Sequence, residues 1–189
     1  GVEAFSAGAD IAEFPKTYAS SETAKSYNAS VRRAQASIAQ LPIPVLAEIR
    51  GACFGGGCGL ALHGDIRFAA KSARFAIPPA TLGLAYSFDD TKRLVSLVGP
   101  SRAKDMLMSG RTLGAGEAYQ IGLVDHLVED LDLLNTVQAY ADGLASLSSQ
   151  SIEVTKQSIA EMMDGRLAAS DRLHAAIEAT FSGDDFAEG

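Results

Sequence analysis

A chain of 189 residues, 47% hydrophobic and 21% charged, is long enough to bury a real core as one domain, with or without an appendage. Its net charge of −7, with no Lys/Arg stripe to offset it, argues against nucleic acid or an anionic membrane as partner. The apolar runs are broken by Gly, Pro or charge well short of the roughly 18 residues that span a bilayer.

The opening GVEAFSAGAD reads as a strand end over 2–5 followed by a loop. It lacks the basic start and apolar core of a secretory leader, so a cytoplasmic, reducing setting is expected. Residues 10–14 can begin a helix, and the polar bridge KTYASSETAKS at 16–26 reads as a mobile loop that could serve as a lid. From about Ser21 the apolar residues Tyr27, Val31, Ala34, Ile38 and Leu41 recur at three and four, which predicts a helix. Pro42 and Pro44 stop it. PVLAEIR over 44–50 predicts a strand. It runs into GACFGGGCGLALHGD, residues 51–65, a glycine loop with a short helix over 57–63. The two cysteines, Cys53 and Cys58, lack the second pair a zinc site needs and read as small apolar thiols, so no metal is expected. DIRFAA (65–70) and ARFAIP (73–78) predict two strands separated by a Lys71–Ser72 turn. Asp89 and Asp90 sit where acids favour a helix start. Gly99, Pro100 and Ser101 end that helix and cap another, which stops at Ser109–Gly110. GAGEAYQIGLVDHLV reads as helix, turn and strand. Beyond Glu129, the segments 131–147, 151–163 and 170–181 carry helical periodicity with no convincing strand. Strands and helices alternate first, and a helical tail closes the chain. There is no internal repeat.

Two glycine-bearing turns, SAGAD at 6–10 and GACFGGG at 51–57, each stand between a strand and a helix. Such junctions present backbone N–H groups at the positive end of a helix and can hold a phosphate or a transient oxyanion. The phosphate motifs fail on spelling. GxxxxGK[ST] would need Lys where the chain has Gly57, and GxGxxG read from Gly55 meets Leu60 at its last glycine. Tight packing of strand against helix is the plain alternative.

The ordered series FSAGADI, PIPVLAEIRGACFGGGCGLALHGDIRFAAKSARFAIP, LGL, KRL and SGRTLGAGEAYQIGLVDHLV resembles the enoyl-CoA hydratase/isomerase family, the crotonase superfamily. The resemblance covers most of the chain. It implies an α/β fold, a spiral of β-β-α turns with a C-terminal helical region. Residues 1–129 would be part of the spiral core, its N-terminal strands absent from this chain, and 130–189 the helical region. A homotrimer or hexamer is implied, with the tail (Leu134, Val137, Ala141, Leu144) packing at subunit contacts and partly covering the acyl pocket. In the family two backbone N–H groups bind the carbonyl oxygen of an acyl-CoA thioester. By motif these belong to Ala9 and Gly56, with Ala7, Gly8, Asp10, Gly55 and Gly57 beside the substrate. Coenzyme A would enter as part of the substrate, with no permanently bound cofactor.

The same resemblance marks two absences. The hydratases it points to carry one glutamate where this chain has Gly59 and another where it has Pro79, and neither Gly nor Pro moves a proton. The segment FAIPPATLGLAY resembles methylmalonyl-CoA decarboxylases, which also have Pro at that second position and a tyrosine where Tyr86 stands. The chain departs from those enzymes at Ala9, where they have histidine, and at Gly59, where they usually keep glutamate. Tyr86 is the remaining candidate for orienting a carboxylate or relaying a proton. Ser87 and Asp89 read as turn or cap residues, Asp65 as a structural acid and His63 as a C-terminal helix cap. His126 and His174 lie far from both loops, Glu48 and Glu117 have no evident place in a pocket, and Glu3 stands where relatives often carry Lys. The reading is an acyl-CoA enzyme that stabilises a thioester enolate. The alternatives are a decarboxylase of a malonyl-type thioester and a non-catalytic acyl-CoA-binding protein.

Overall fold

The middle of the chain is a succession of short apolar segments separated by glycine turns, and this punctuation sets the topology. A computed structural model describes residues 3–183 and 185–186. Two units emerge, Gly1–Gln40 with Val45–Gln138, and Leu41–Pro44 with Ala139–Gly189.

In the first unit Asp10 caps a 3-10 turn, Ile11–Glu13, by accepting from Ala12 N. Helix α1 (Phe14–Thr17) follows, then α2 (Ser21–Ala39). The bridge expected as a loop over 16–26 is therefore largely helical. Ser20 and Thr23 form a reciprocal capping box that starts α2 at Ser21, and the segment is polar because it is exposed, not because it is irregular. The strand expected over 2–5 begins outside the described residues. From Glu3 onward it is not a strand but leads to one parallel bridge, Ser6 with Cys53.

The strands β1 (Leu46–Ile49) and β2 (Ala52–Phe54) lead into α3 (Gly56–His63). The next turn repeats the pattern with β3 (Ile66–Ala70), β4 (Arg74–Ala76) and α4 (Phe88–Ser109). Strand β3 lies parallel on β1, and β4 lies parallel on β2, so successive β-β-α turns stack. The pair β5 (Leu113–Gly114) and β6 (His126–Val128), joined through α5 (Ala115–Gln120), adds one strand to each sheet. Strands β2 and β5 escape the sequence reading because two or three residues beside glycine carry no periodicity. Helix α4 is broken at Gly99 (φ 77°) just before Pro100 and closed by Gly110 in the left-handed region, as the punctuation predicts. Cys53, Phe75 and Leu113, paired across the second sheet, sit in a core with Ile49, Leu94 and Met106, all within 2% of full burial.

Helix α6 (Leu133–Ala145) crosses the boundary between the units. In the second unit α7 (Ser149–Met163) packs on α8 (Asp171–Thr180). Ser170 caps α8 and also bonds to Glu161 on α7, its N–H at 2.8 Å and its hydroxyl at 2.5 Å. Among the described residues no helix is long and apolar enough to cross a membrane.

Candidate active site

The site is built from backbone first. Phe5 and Ser6 run alongside β2, with Phe5 N donating to Arg50 O at 2.8 Å, Ser6 N to Ala52 O at 3.0 Å and Phe54 N to Ser6 O at 2.9 Å. The chain then turns at Gly8 with φ 97°. A Cβ there would stand 2.9 Å from Phe54 O and 3.4 Å from Gly56 N, so only glycine lets the SAGAD loop lie on the FGGG loop. Gly55 (φ 50°, ψ −111°) ties that second loop to β4 by donating to Ala76 O at 2.8 Å. Gly56 is then the first residue of α3, where an N–H has no partner inside the helix. A Cβ on Gly56 would stand 3.8 Å from Ala9 N. The Ala9 and Gly56 amides are thus neighbours, and neither donates to an acceptor among the described residues.

Both border a cavity of about 700 Å³ together with Ala7, Gly8, Gly55, Pro79 and Tyr86. Its far wall comes from α1 and α2, including Phe14, Tyr27 and Gln35. Asp10 is engaged in its cap, and Gly57 packs against Ser6, whose carbonyl oxygen would lie 2.6 Å from an added Cβ. Neither borders the cavity. Gly59 lies one turn along α3 from Gly56, and a Cβ there would meet Gln35 Nε2 at 2.5 Å, Tyr86 Oη at 3.2 Å and Asp90 Oδ1 at 3.3 Å.

Tyr86 donates its hydroxyl to Gly55 O at 3.3 Å. Burial, reinforced by the Asp90 charge, pushes the phenol well above its ordinary range, so it stays protonated and acts as a donor. Ser87 is the cap expected of it: its Oγ accepts from Asp90 N at 3.0 Å and donates to Asp90 Oδ2 at 2.7 Å. Asp90 itself is 4% exposed, and its Oδ1 has no hydrogen-bond partner among the described residues. His63 Nδ1 stands 3.6 Å from that oxygen but bonds to Gly59 O at 2.7 Å. A carbonyl accepts, so Nδ1 carries the proton. Burial lowers the His63 pKa and favours the neutral ring. His63 is therefore a buried member of the last turn of α3, bonded within its own helix. Sequence reasoning passed over Asp90 as a helix-start acid and did not single out Gln35. The glycine at 59 is the one local signal, since it leaves room for side chains from elsewhere.

The other candidates have structural partners. Asp65 Oδ2 accepts from Val45 N at 2.7 Å. Glu48 pairs with Arg50, Glu117 pairs with Arg111 at 2.6 Å, and His126 stacks on Phe68 at 4.4 Å between ring centroids. His174 lies on α8 in the second unit.

The enoyl-CoA hydratase/isomerase family matches residues 1–189. The chain is 34% identical over 159 residues to a short-chain-enoyl-CoA hydratase of Clostridium acetobutylicum, covering 84% of this chain and 60% of that one. It is 36% identical over 163 residues to a crotonyl-CoA hydratase of Syntrophomonas wolfei, covering 86% and 62%. The chain thus spans less than two thirds of either relative. A solved structure of an enoyl-CoA hydratase/isomerase family protein from Hyphomonas neptunium superposes with a TM-score of 0.94 at 39% identity, over 98% of this chain and 71% of that one. With the whole chain matched and the stacked β-β-α turns shared, this chain belongs to the enoyl-CoA hydratase/isomerase family.

Proposed function

We propose that the protein acts on an acyl-CoA thioester by holding its carbonyl oxygen between the Ala9 and Gly56 N–H groups and stabilising the enolate that forms there. The observation that carries this is the adjacency of the two uncommitted amides on a cavity wall. As a thioester becomes an enolate, charge grows on that oxygen and both hydrogen bonds strengthen. One such donor is worth about 3 kcal/mol to the transition state. The N-terminus of α3 adds a fixed positive potential. Coenzyme A belongs to the substrate, and Ala7, Gly8, Asp10, Gly55 and Gly57 shape the loops that receive it. The hydratase names of the relatives favour a short acyl chain. Residues 1–129 carry the site, and 130–189 supply subunit contacts in a homotrimer or hexamer.

Decarboxylation of a malonyl-type thioester is a second reading. It is favoured by Tyr86 on the cavity wall and by the absence of a proton-carrying side chain at Gly59 and Pro79. It yields the enolate without removal of a C–H proton. Parallel turnover assays with crotonyl-CoA and methylmalonyl-CoA, followed by mass spectrometry, separate the reactions. Gly56→Leu is expected to abolish both binding and turnover by crowding Ala9 N. Tyr86→Phe is expected to lower turnover at least tenfold with binding retained if the site decarboxylates. A protein that binds acyl-CoA but turns over no member of a wider thioester panel would be a binding module, and the enzyme reading would fall.

A further inference from the structure

The space beside Gly59 is occupied by groups delivered from three other parts of the chain: Gln35 from α2, Tyr86 from the loop before α4, and Asp90 from the first turn of α4. All three border the cavity that holds Ala9 and Gly56. An amide does not ionise, and the buried phenol keeps its proton. Asp90 differs from both. One oxygen is fixed by Ser87 at 2.7 Å, while the other is buried and has no hydrogen-bond partner among the described residues. A buried polar atom left unpartnered is unfavourable and calls for an explanation in function. His63, whose Nδ1 stands 3.6 Å from that oxygen, has already committed its Nδ1 proton to Gly59 O. Gly56 and Gly59 are three residues apart on one helix, so Asp90 Oδ1, 3.3 Å from the place of a Gly59 Cβ, stands about one helical turn further along α3 than the Gly56 amide. In a thioester the α hydrogens lie only two bonds beyond the carbonyl carbon, so a base for them must stand close to the groups that bind the carbonyl oxygen.

We propose that Asp90 is the proton-transfer residue of this site, its Oδ1 taking a proton from the α carbon of the acyl thioester and returning one to it. This inference rests on the thioester-enolate reading above. As the Cα–H bond breaks, the O–H bond on Asp90 forms and the electron pair moves into the carbonyl, giving the enolate whose oxygen sits at Ala9 and Gly56. In the reverse step the enolate carbon takes the proton back and the carboxylate is restored. No second acid is consumed, so one aspartate from α4 stands in for a group missing from α3.

The test uses the whole chain with butyryl-CoA in D₂O, reading deuterium at the α carbon by mass spectrometry and affinity by calorimetry. Asp90→Asn keeps the side-chain shape and an oxygen for the Ser87 hydroxyl. Exchange is expected to slow at least 100-fold, with affinity changed less than threefold. In Asp90→Ala, added formate is expected to restore exchange, which a structural role would not allow. Exchange at the original rate in Asp90→Asn overturns the proposal. So does an unmodified protein that binds butyryl-CoA without exchanging it, although the oxyanion reading then survives. Failure to bind butyryl-CoA at all removes both. If the variants do not fold, the unmodified protein decides with 3-butynoyl-CoA. Removal of its α proton and reprotonation at the terminal carbon give an allenyl thioester, which a carboxylate attacks to form an ester. An ester on Asp90 supports the assignment, and an ester elsewhere or none at all overturns it.

Discussion

Gly59 leaves a space that side chains from elsewhere in the chain fill. A Cβ at this position stands 2.5 Å from Gln35 Nε2, and Gln35 is 3% exposed, so its amide has little room to retreat. Gly59→Ala therefore overpacks the site and is expected to destabilise the protein by about 1–3 kcal/mol in urea unfolding. The clash is with the far end of one side chain, not with backbone, so shortening that chain should relieve it. In the Gln35→Ala background the cost of Gly59→Ala should fall below about 0.5 kcal/mol, a coupling that a double-mutant cycle reads directly. Additive effects would mean that the two positions do not share this space.

At the scale of elements, the junction of α3, β3 and β6 is held by one buried guanidinium. Arg67, 4% exposed, donates from Nε to Leu123 O at 3.0 Å and from Nη1 to Gly64 O at 3.1 Å, and its Nη2 pairs with Asp125 at 2.7 Å. Removing it leaves the Leu123 and Gly64 carbonyls without that donor, while Asp125 Oδ2 keeps only the backbone N–H of residue 67 at 2.7 Å. Arg67→Leu is expected to cost about 2–4 kcal/mol in urea unfolding, mainly from the two carbonyls left without a donor, whereas Arg111→Leu, on the surface between Asp105 and Glu117, should change stability little. Equal effects would show that burial does not set the worth of these pairs. Elements punctuated by glycine and proline were legible before the structure: the end of α2, the break in α4 at Gly99 and its stop at Gly110. Arg67 was not, because its acceptors lie at Gly64 and, beyond position 120, at Leu123 and Asp125. No local pattern joins them. The helix start near Ser21 was legible from its apolar spacing, but the bridge over 16–26 was misread as a loop because its capping residues are polar, and polarity alone looks like a loop.

For the whole molecule, the motif order singled out Ala9 and Gly56, which border one cavity, but Gln35 and Asp90, which line it too, needed the fold, since positions 35, 59, 86 and 90 share no periodicity. Stability also responds to pH, through groups that burial and hydrogen bonding shift from their ordinary values. Burial lowers the folded pKa of His63 below its ordinary value of 6.5, so as pH falls through that value the unfolded chain takes up a proton that the folded chain resists. Stability is therefore lost on the acid side of neutrality. Hydrogen bonds from Arg111, Ser72 and Ser170 hold the carboxyls of Glu117, Asp130 and Glu161 below their ordinary values. Their contribution is present above the unfolded values and is lost as pH falls through the folded ones. Both groups act in the same direction but in different windows. The expected melting profile falls first as pH drops through the mid-6 range, where His63 protonates on unfolding, and again as the carboxyls titrate at lower pH. His63→Asn puts an uncharged amide donor where Nδ1 meets Gly59 O. It should flatten the first step, measured by calorimetry at constant ionic strength, while leaving the carboxylate step in place. An unchanged first step in that variant would assign the loss near neutrality to groups other than His63.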